Sequence, residues 1–299
     1  MLDQVGRSKT AKANSRGKDS QEPKSLLSRL GPGLITGASD DDPSGIATYS
    51  QAGAAYGYGL LWTMLFSFPL MSAMQEISGR IGRVTGHGIA GNIRRCYSAW
   101  LLYPLVFLLV LANTINIGAD IGAMGAALKL LIGGPALLYA VSFALLCVIL
   151  EVFIPYKKYS SYLKWLTLVL FSYVATAFFV HVPWKDALKG MVIPSFSKSG
   201  DYWATFIALL GTTVSPYLFF WQASEETEEI NDKPEDEPLK KAPEQARVQF
   251  CRIRFDTYVG MFLSNAVAFF IILSAATTLH VKGITDIQTS EQAAEALRP

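Results

Sequence analysis

Long apolar runs alternate along this chain with short charged stretches. Seven runs, at about 31–58, 60–83, 99–127, 136–154, 160–181, 202–227 and 255–280, each hold enough apolar residues for a helix across a hydrocarbon layer. Lipid offers the backbone no hydrogen-bond partners, so spans of this kind must be helical, and the pattern predicts an all-α integral membrane protein. Residues 1–29 contain no apolar run and carry seven Lys or Arg against three acids, which reads as a disordered basic cytoplasmic tail and not as a signal peptide. Residues 183–201, with Pro183, Trp184, Met191, Pro194 and Phe196, read as an extracellular interfacial linker. The stretch at about 228–250 is dense in Glu, Asp, Lys and Pro and reads as a solvated cytoplasmic connector.

Charge supplies an internal check on the span count. With the tail inside, seven spans put 20 of the 26 Lys and Arg on the cytoplasmic side and six outside, as positively charged inner loops require. The expected location is therefore the cell membrane, multi-pass, with the N-terminus cytoplasmic and the C-terminus outside. Composition agrees: 51% of residues are hydrophobic, 17% are charged, and mean hydropathy is +0.29. A net charge of +2 leaves no basic excess for nucleic acid. Cys96, Cys147 and Cys251 are far apart and lack any CxxC spacing, which argues against a disulfide framework or a thiolate metal site. No nucleophile with a base, and no set of His ligands, sits at one depth, so an enzyme is not expected and no cofactor is implied.

Polar residues and helix breakers at membrane depth carry the functional signal. In the first span, Gly31 to Ile46 places Asp40, Asp41, Asp42 and Pro43 where an apolar helix should continue. Pro43 cannot donate to the carbonyl of Ser39, and Gly45 accepts backbone angles that other residues avoid. The prediction is two half-helices with an unwound joint. The sixth span repeats the design at Gly211-Thr212-Thr213-Val214-Ser215-Pro216-Tyr217, where Pro216 deprives the Thr212 carbonyl of its intrahelical partner.

Interrupted helices in matching positions of two halves point to a transporter's central site. Pro43 and Pro216 lie 173 residues apart, each in the opening span of a five-span unit. The expected organisation is a first five-helix repeat over 30–182, the linker at 183–201, and a partial, inverted second repeat over 202–299. Between the joints the donors are all oxygen: the Asp42 carboxylate, carbonyls near Ser39 and Thr212, and hydroxyls of Thr213 and Ser215. Such a set suits Mg2+, Mn2+ or Ca2+. Successive helical residues point about 100° apart, so Asp40 and Asp41 are expected along a hydrated pathway and not at the ion. Asn113, Asn116 and Asp120 share one face of the third span; the asparagines read either as a polar wall of that pathway or as interhelical glue, Asp120 reads as part of the pathway, and Gln222 and Glu225 are placed at its inner exit. Glu76 is expected to pair with Arg80, one turn on.

Several motifs together resemble the natural resistance-associated macrophage protein family of divalent metal transporters. They are Gly31-Pro32-Gly33, Asp42-Pro43-Ser44-Gly45-Ile46-Ala47-Thr48, Gln51-Ala52-Gly53-Ala54 with Tyr56-Gly57-Tyr58-Gly59-Leu60-Leu61-Trp62, and Arg80-Ile81-Gly82-Arg83-Val84-Thr85-Gly86. The resemblance implies the inverted-repeat fold of the sodium-coupled leucine transporter, with at least ten core spans. Against that pattern the chain stops after its seventh span, which implies that the remaining helices, or a split-gene partner, are missing. The family's first-span motif reads Asp-Pro-Gly-Asn, so its asparagine ligand is lost at Gly45. Its sixth-span methionine and histidine are replaced by Ser215 and Tyr217.

Loss of the thioether relaxes discrimination against Mg2+, and the pattern is similar to the family's magnesium-transporting branch, where proton coupling is thought to be absent. The expected metal set is thus Asp42, Ser39, Gly45, Thr212, Thr213 and Ser215. The expected activity is Mg2+ transport with Mn2+ tolerated, by alternating access between the two joints. The alternatives are a proton-coupled Mn2+ or Fe2+ transporter and a sodium-coupled carrier of organic solutes on the same fold.

Overall fold

The computed structural model describes residue 37, residues 41–153, residue 169, residues 172–232, residues 236–287, and residues 289, 292 and 294. The basic tail, Ser39, Asp40 and half of the fifth apolar run lie outside the described residues. Among the described residues every regular element is a helix. In chain order they are α1 (Pro43–Tyr56), a 3-10 turn (Gly57–Leu60), α2 (Trp62–Thr85), α3 (Ile89–Cys96), α4 (Ala99–Ile132) and α5 (Ala136–Phe153). After a helical stretch at 172–179 come α6 (Trp184–Val192), α7 (Gly200–Thr213), α8 (Pro216–Asp232), a second 3-10 turn (Pro243–Gln245) and α9 (Ala246–Ala275), which ends in a π turn (Ala276–His280).

Four helical stretches among the described residues are long and apolar enough to cross a membrane: Ala99–Ile132, Ala136–Phe153, Gly200–Asp232 and Pro243–His280. Helix α2 is long enough but less apolar, and its burial explains why. Ser72, Gln75 and Arg83 face the protein interior at no more than 1% exposure, while Leu65, Phe66, Leu70 and Ile77 point outward. A helix between protein and lipid needs this inside-out arrangement, because a polar group costs more in hydrocarbon than among the dipoles of the protein interior.

Helix α2 packs against α8 and α9, α1 against α9 and α7, and α4 against α5. Small residues permit the closest approaches, as expected where lipid leaves packing as the main adhesive force. A Cβ on Gly82 of α2 would fall 2.2 Å from the Ala223 carbonyl oxygen of α8, and one on Gly53 of α1 would fall 2.3 Å from that of Ile272 in α9. Tyr49, Leu61, Met64, Leu209, Ile271 and Ile272 form the apolar core between α1, α2, α7 and α9. Within α4 only Leu102 and Gly125 are buried, and no residue of α5 is, so this hairpin lies on the surface of the described bundle.

The stretch around 228–250 differs from the solvated connector read from its charges. Helix α8 continues to Asp232, and residues 236–242 fold back onto the end of α2. The backbone N–H groups of Leu239 and Lys240 donate to the carbonyls of Arg83 and Val84 at 3.1 and 3.2 Å. Leu239 and Ala242 are buried, and Arg83, fully enclosed, pairs with Asp236 at 2.6 Å. Gly86 makes this possible: its left-handed φ of 67° turns the chain, and a Cβ there would meet Pro238 at 2.6 Å. The linker at 183–201 likewise contains a helix, α6. Glu76 pairs with Arg80 as the spacing implied.

Candidate metal site at two helix breaks

The sixth-span break is explicit in the backbone. Helix α7 ends at Thr213, Val214 adopts φ −116° and ψ 58°, and α8 begins at Pro216. Pro216 has no N–H to offer the Thr212 carbonyl. The Ser215 hydroxyl serves it instead, at 2.6 Å, with the Gly211 carbonyl 3.0 Å away. A carbonyl oxygen accepts twice, so Thr212 keeps a lone pair beyond this contact. In the first span α1 starts at Pro43, and Asp42 precedes it in extended conformation (φ −73°, ψ 167°) as the N-cap.

Four donors hold the Asp42 carboxylate. Oδ1 accepts from the backbone N–H of Gly45 and the Ser44 hydroxyl, each at 2.7 Å. Oδ2 accepts from Asn116 Nδ2 at 2.8 Å and, more loosely, from the Tyr217 hydroxyl at 3.4 Å. Ser44 Oγ also lies 2.9 Å from Asn116 Oδ1, so its single proton is shared between two acceptors. Charge-assisted contacts of this kind are about twice as strong as neutral ones. They fix the carboxylate at the meeting point of α1, α4 and α8.

These groups surround one cavity of about 180 Å³, lined by Asp42, Ser44, Ala112, Asn113, Asn116, Gly211, Thr212, Ser215, Pro216 and Tyr217. The structure thus brings Asp42, Thr212, Ser215, Asn113 and Asn116 together. It separates others from them. Thr213 is buried with its hydroxyl donating to the Leu209 carbonyl at 3.0 Å, because one helical step turns it away from the break. Gly45 contributes a donor to Asp42 and no oxygen to the cavity wall. Asp41 is buried close to Tyr173, outside the cavity wall. Gln222 is fully buried, its amide next to Gly79 of α2, and Glu225 accepts a hydrogen bond from Trp221, so neither lies along the cavity.

Asp120, one turn beyond Asn116 on α4, lies close enough to Asp42 to feel its charge. Among the described residues no three His, Cys, Asp or Glu side chains converge to hold an ion. Any cation bound here would therefore meet carboxylate, carbonyl, hydroxyl and amide oxygens. Ser44 and Tyr217 were absent from the sequence-derived set. Their signal lay in the motif positions: one follows the Asp-Pro pair, and the other occupies the place of the histidine.

The family model described as natural resistance-associated macrophage protein-like matches residues 33–299. The chain belongs to this family. Two similar proteins are the divalent metal cation transporters MntH of Klebsiella pneumoniae strain 342 and of K. pneumoniae subsp. pneumoniae strain MGH 78578. Each is 27% identical over 285 residues, which are 91% of this chain and 64% of the relative. The chain thus spans about two thirds of the length of these Nramp relatives. A crystal structure of the Eremococcus coleocola manganese transporter, in complex with an aromatic bis-isothiourea substituted compound, superposes with a TM-score of 0.69 at 20% identity. It covers 91% of this chain and 58% of that one. A second structure of the same transporter, carrying a point substitution, gives 0.67 at 19% identity, with 92% and 60% covered. The Nramp fold, of the leucine-transporter type, is therefore shared.

Proposed function

We propose that this chain takes part in moving divalent metal cations across a membrane, with Mg2+ preferred and Mn2+ tolerated, by alternating access around Asp42. The observation that carries the reading is the pair of helix breaks opening onto one cavity whose polar lining is entirely N and O, with a single carboxylate in its wall. Oxygen donors favour hard cations, and Ser215 and Tyr217 stand where a thioether and an imidazole would favour softer ones.

The cavity's size supports a partly hydrated guest. At ~30 Å³ per water, about 180 Å³ has room for roughly six water molecules, and Mg2+ gives up its hydration shell reluctantly. Three of the four donors on Asp42 are short, so the ion approaches on the Oδ2 side, where only the 3.4 Å contact from Tyr217 must yield. A membrane potential supplies about 2.3 kcal/mol per charge per 100 mV, enough to draw a divalent ion inward without a coupled proton.

A second reading, proton-coupled Mn2+ transport, is favoured by the similarity to a manganese transporter and by Asp120. This second carboxylate sits beside the site and offers a place for a proton. Uptake into liposomes under competition separates the two. The Mg2+ reading expects Mg2+ to displace Mn2+ at comparable concentration, with flux unchanged by an imposed pH gradient. Mn2+ flux that ignores millimolar Mg2+ and rises with an inward proton gradient selects the second reading.

A further inference from the structure

Four arginines at the α2–α3 end of the molecule are engaged by neighbouring side chains. Arg80 pairs with Glu76 and lies over the Phe250 ring, Arg83 pairs with Asp236, Arg252 with Glu226 and Glu229, and Arg254 lies over Tyr258. Arg94 and Arg95, in the last turn of α3, are exposed and make no ion pair among the described residues. The sequence offers them none nearby, since no Asp or Glu occurs from residue 77 to residue 119.

Their surroundings are built. The corner before α3 is pinned: Asn92 Nδ2 lies 2.9 Å from Thr85 Oγ1 and 2.8 Å from the His87 carbonyl, and the His87 N–H donates to the same threonine hydroxyl at 3.2 Å. Half-buried residues fill α3 up to Ile93, and every residue from Arg94 to Leu101 is exposed. Directly after the arginines, Trp100, Tyr103 and Phe107 recur at i, i+3 and i+7 on the apolar helix α4, at 85%, 71% and 66% exposure. Leu101, Leu105 and Leu108 run beside them, also exposed. The N-cap of α4, Ser98, makes no side-chain hydrogen bond, so the positive end of a 34-residue helix faces the same spot.

We propose that Arg94 and Arg95, with Tyr97, Trp100 and the uncapped start of α4, form a docking site for the headgroup of an anionic phospholipid, whose acyl chain lies along the α4 leucines. Two guanidiniums suit a phosphate oxygen pair, an aromatic belt marks headgroup depth, and the apolar stripe below takes the chain. An unpaired double arginine next to a strongly exposed tryptophan has no intramolecular task among the described residues. An anionic leaflet provides its counter-charge. This inference is independent of which ion the central cavity holds.

Quenching of tryptophan fluorescence by brominated lipid tests it on the full chain in liposomes. The Trp100 share of the signal is obtained by difference against Trp100→Phe. Dibromo-phosphatidylglycerol should quench that share at a mole fraction roughly thirtyfold lower than dibromo-phosphatidylcholine, and added salt should erase the preference. The double variant R94Q/R95Q should lose the preference, the double variant R94K/R95K should keep most of it, and the charge-matched pair K240Q/K241Q should not change it. Equal quenching by the two lipids, or a preference that survives R94Q/R95Q, overturns the proposal. Should R94Q/R95Q fail to fold, the lipid comparison on the unsubstituted chain and on R94K/R95K still decides it.

Discussion

Replacing Asp42 by Asn removes one negative charge while keeping the side chain's shape, and the geometry sets the size of the effect. Two unit charges about 4 Å apart attract by about 4 kcal/mol at an effective dielectric constant near 20, so a divalent ion gains about 8 kcal/mol from the carboxylate. Dehydration of the ion and displacement of a donor offset much of that gain, since hydrogen bonds to charged groups are worth about 1.5–3 kcal/mol each. A net contribution of about 3 kcal/mol remains, equivalent to more than a hundredfold in affinity. The amide also meets four groups that now donate to Asp42. A flip of the Asn116 side chain and rotation of the Tyr217 hydroxyl turn two of these into acceptors, so the fold should survive with a melting temperature only a few degrees lower. Calorimetric titration of the purified chain in micelles with MgCl2 and MnCl2 measures the loss. A dissociation constant within threefold of the unsubstituted chain, at unchanged melting temperature, would refute the placing of the ion at Asp42.

Three further outcomes follow from the same structure. Ser215→Met combined with Tyr217→His should raise the preference for Mn2+ over Mg2+ at least tenfold in competition binding, because it puts soft and imidazole donors into the cavity wall. Gly82→Ala should lower the melting temperature in micelles by an amount corresponding to about 1–3 kcal/mol, since the new methyl meets the Ala223 backbone, whereas Gly118→Ala, with nothing within 4 Å, should leave it unchanged or slightly raised. Arg83→Met strips Asp236 of its partner and should destabilise the fold by about 3 kcal/mol, with limited proteolysis showing earlier cleavage within 236–242.

The two breaks were legible because proline chemistry is local. Pro43 and Pro216 each announce their own interruption whatever surrounds them, and the structure starts α1 and α8 at those residues. What stands opposite a break is a tertiary matter. The i, i+3, i+7 spacing put Asn113, Asn116 and Asp120 on one face, yet only packing decides that Asn116 reaches the Asp42 carboxylate and the cavity wall while Asp120 stays outside that wall. Thr212 and Thr213 are indistinguishable by composition, and a single helical step places one in the cavity wall and the other against Leu209. The charged stretch misled for a similar reason. Its docking depends on backbone donors of Leu239 and Lys240 and on the turn at Gly86, and neither changes the local polarity that suggested a solvated loop.

The way Asp42 is held bears on why a site here would release its guest. As the N-cap of α1, its carboxylate is already stabilised by the positive end of that helix through Gly45, and by Ser44, Asn116 and Tyr217. A carboxylate free of such donors would bind a divalent cation more tightly and release it more slowly. Sharing the charge between protein donors and the ion lowers the affinity, and it lets the donors reclaim the carboxylate as the ion leaves. On the proposed reading this is what separates a transport site from a storage site. It also fixes the sign of one more outcome: Tyr217→Phe removes the weakest of the four competitors and should tighten Mg2+ binding by a few fold. Weaker binding in that variant would mean that the tyrosine oxygen is itself a ligand.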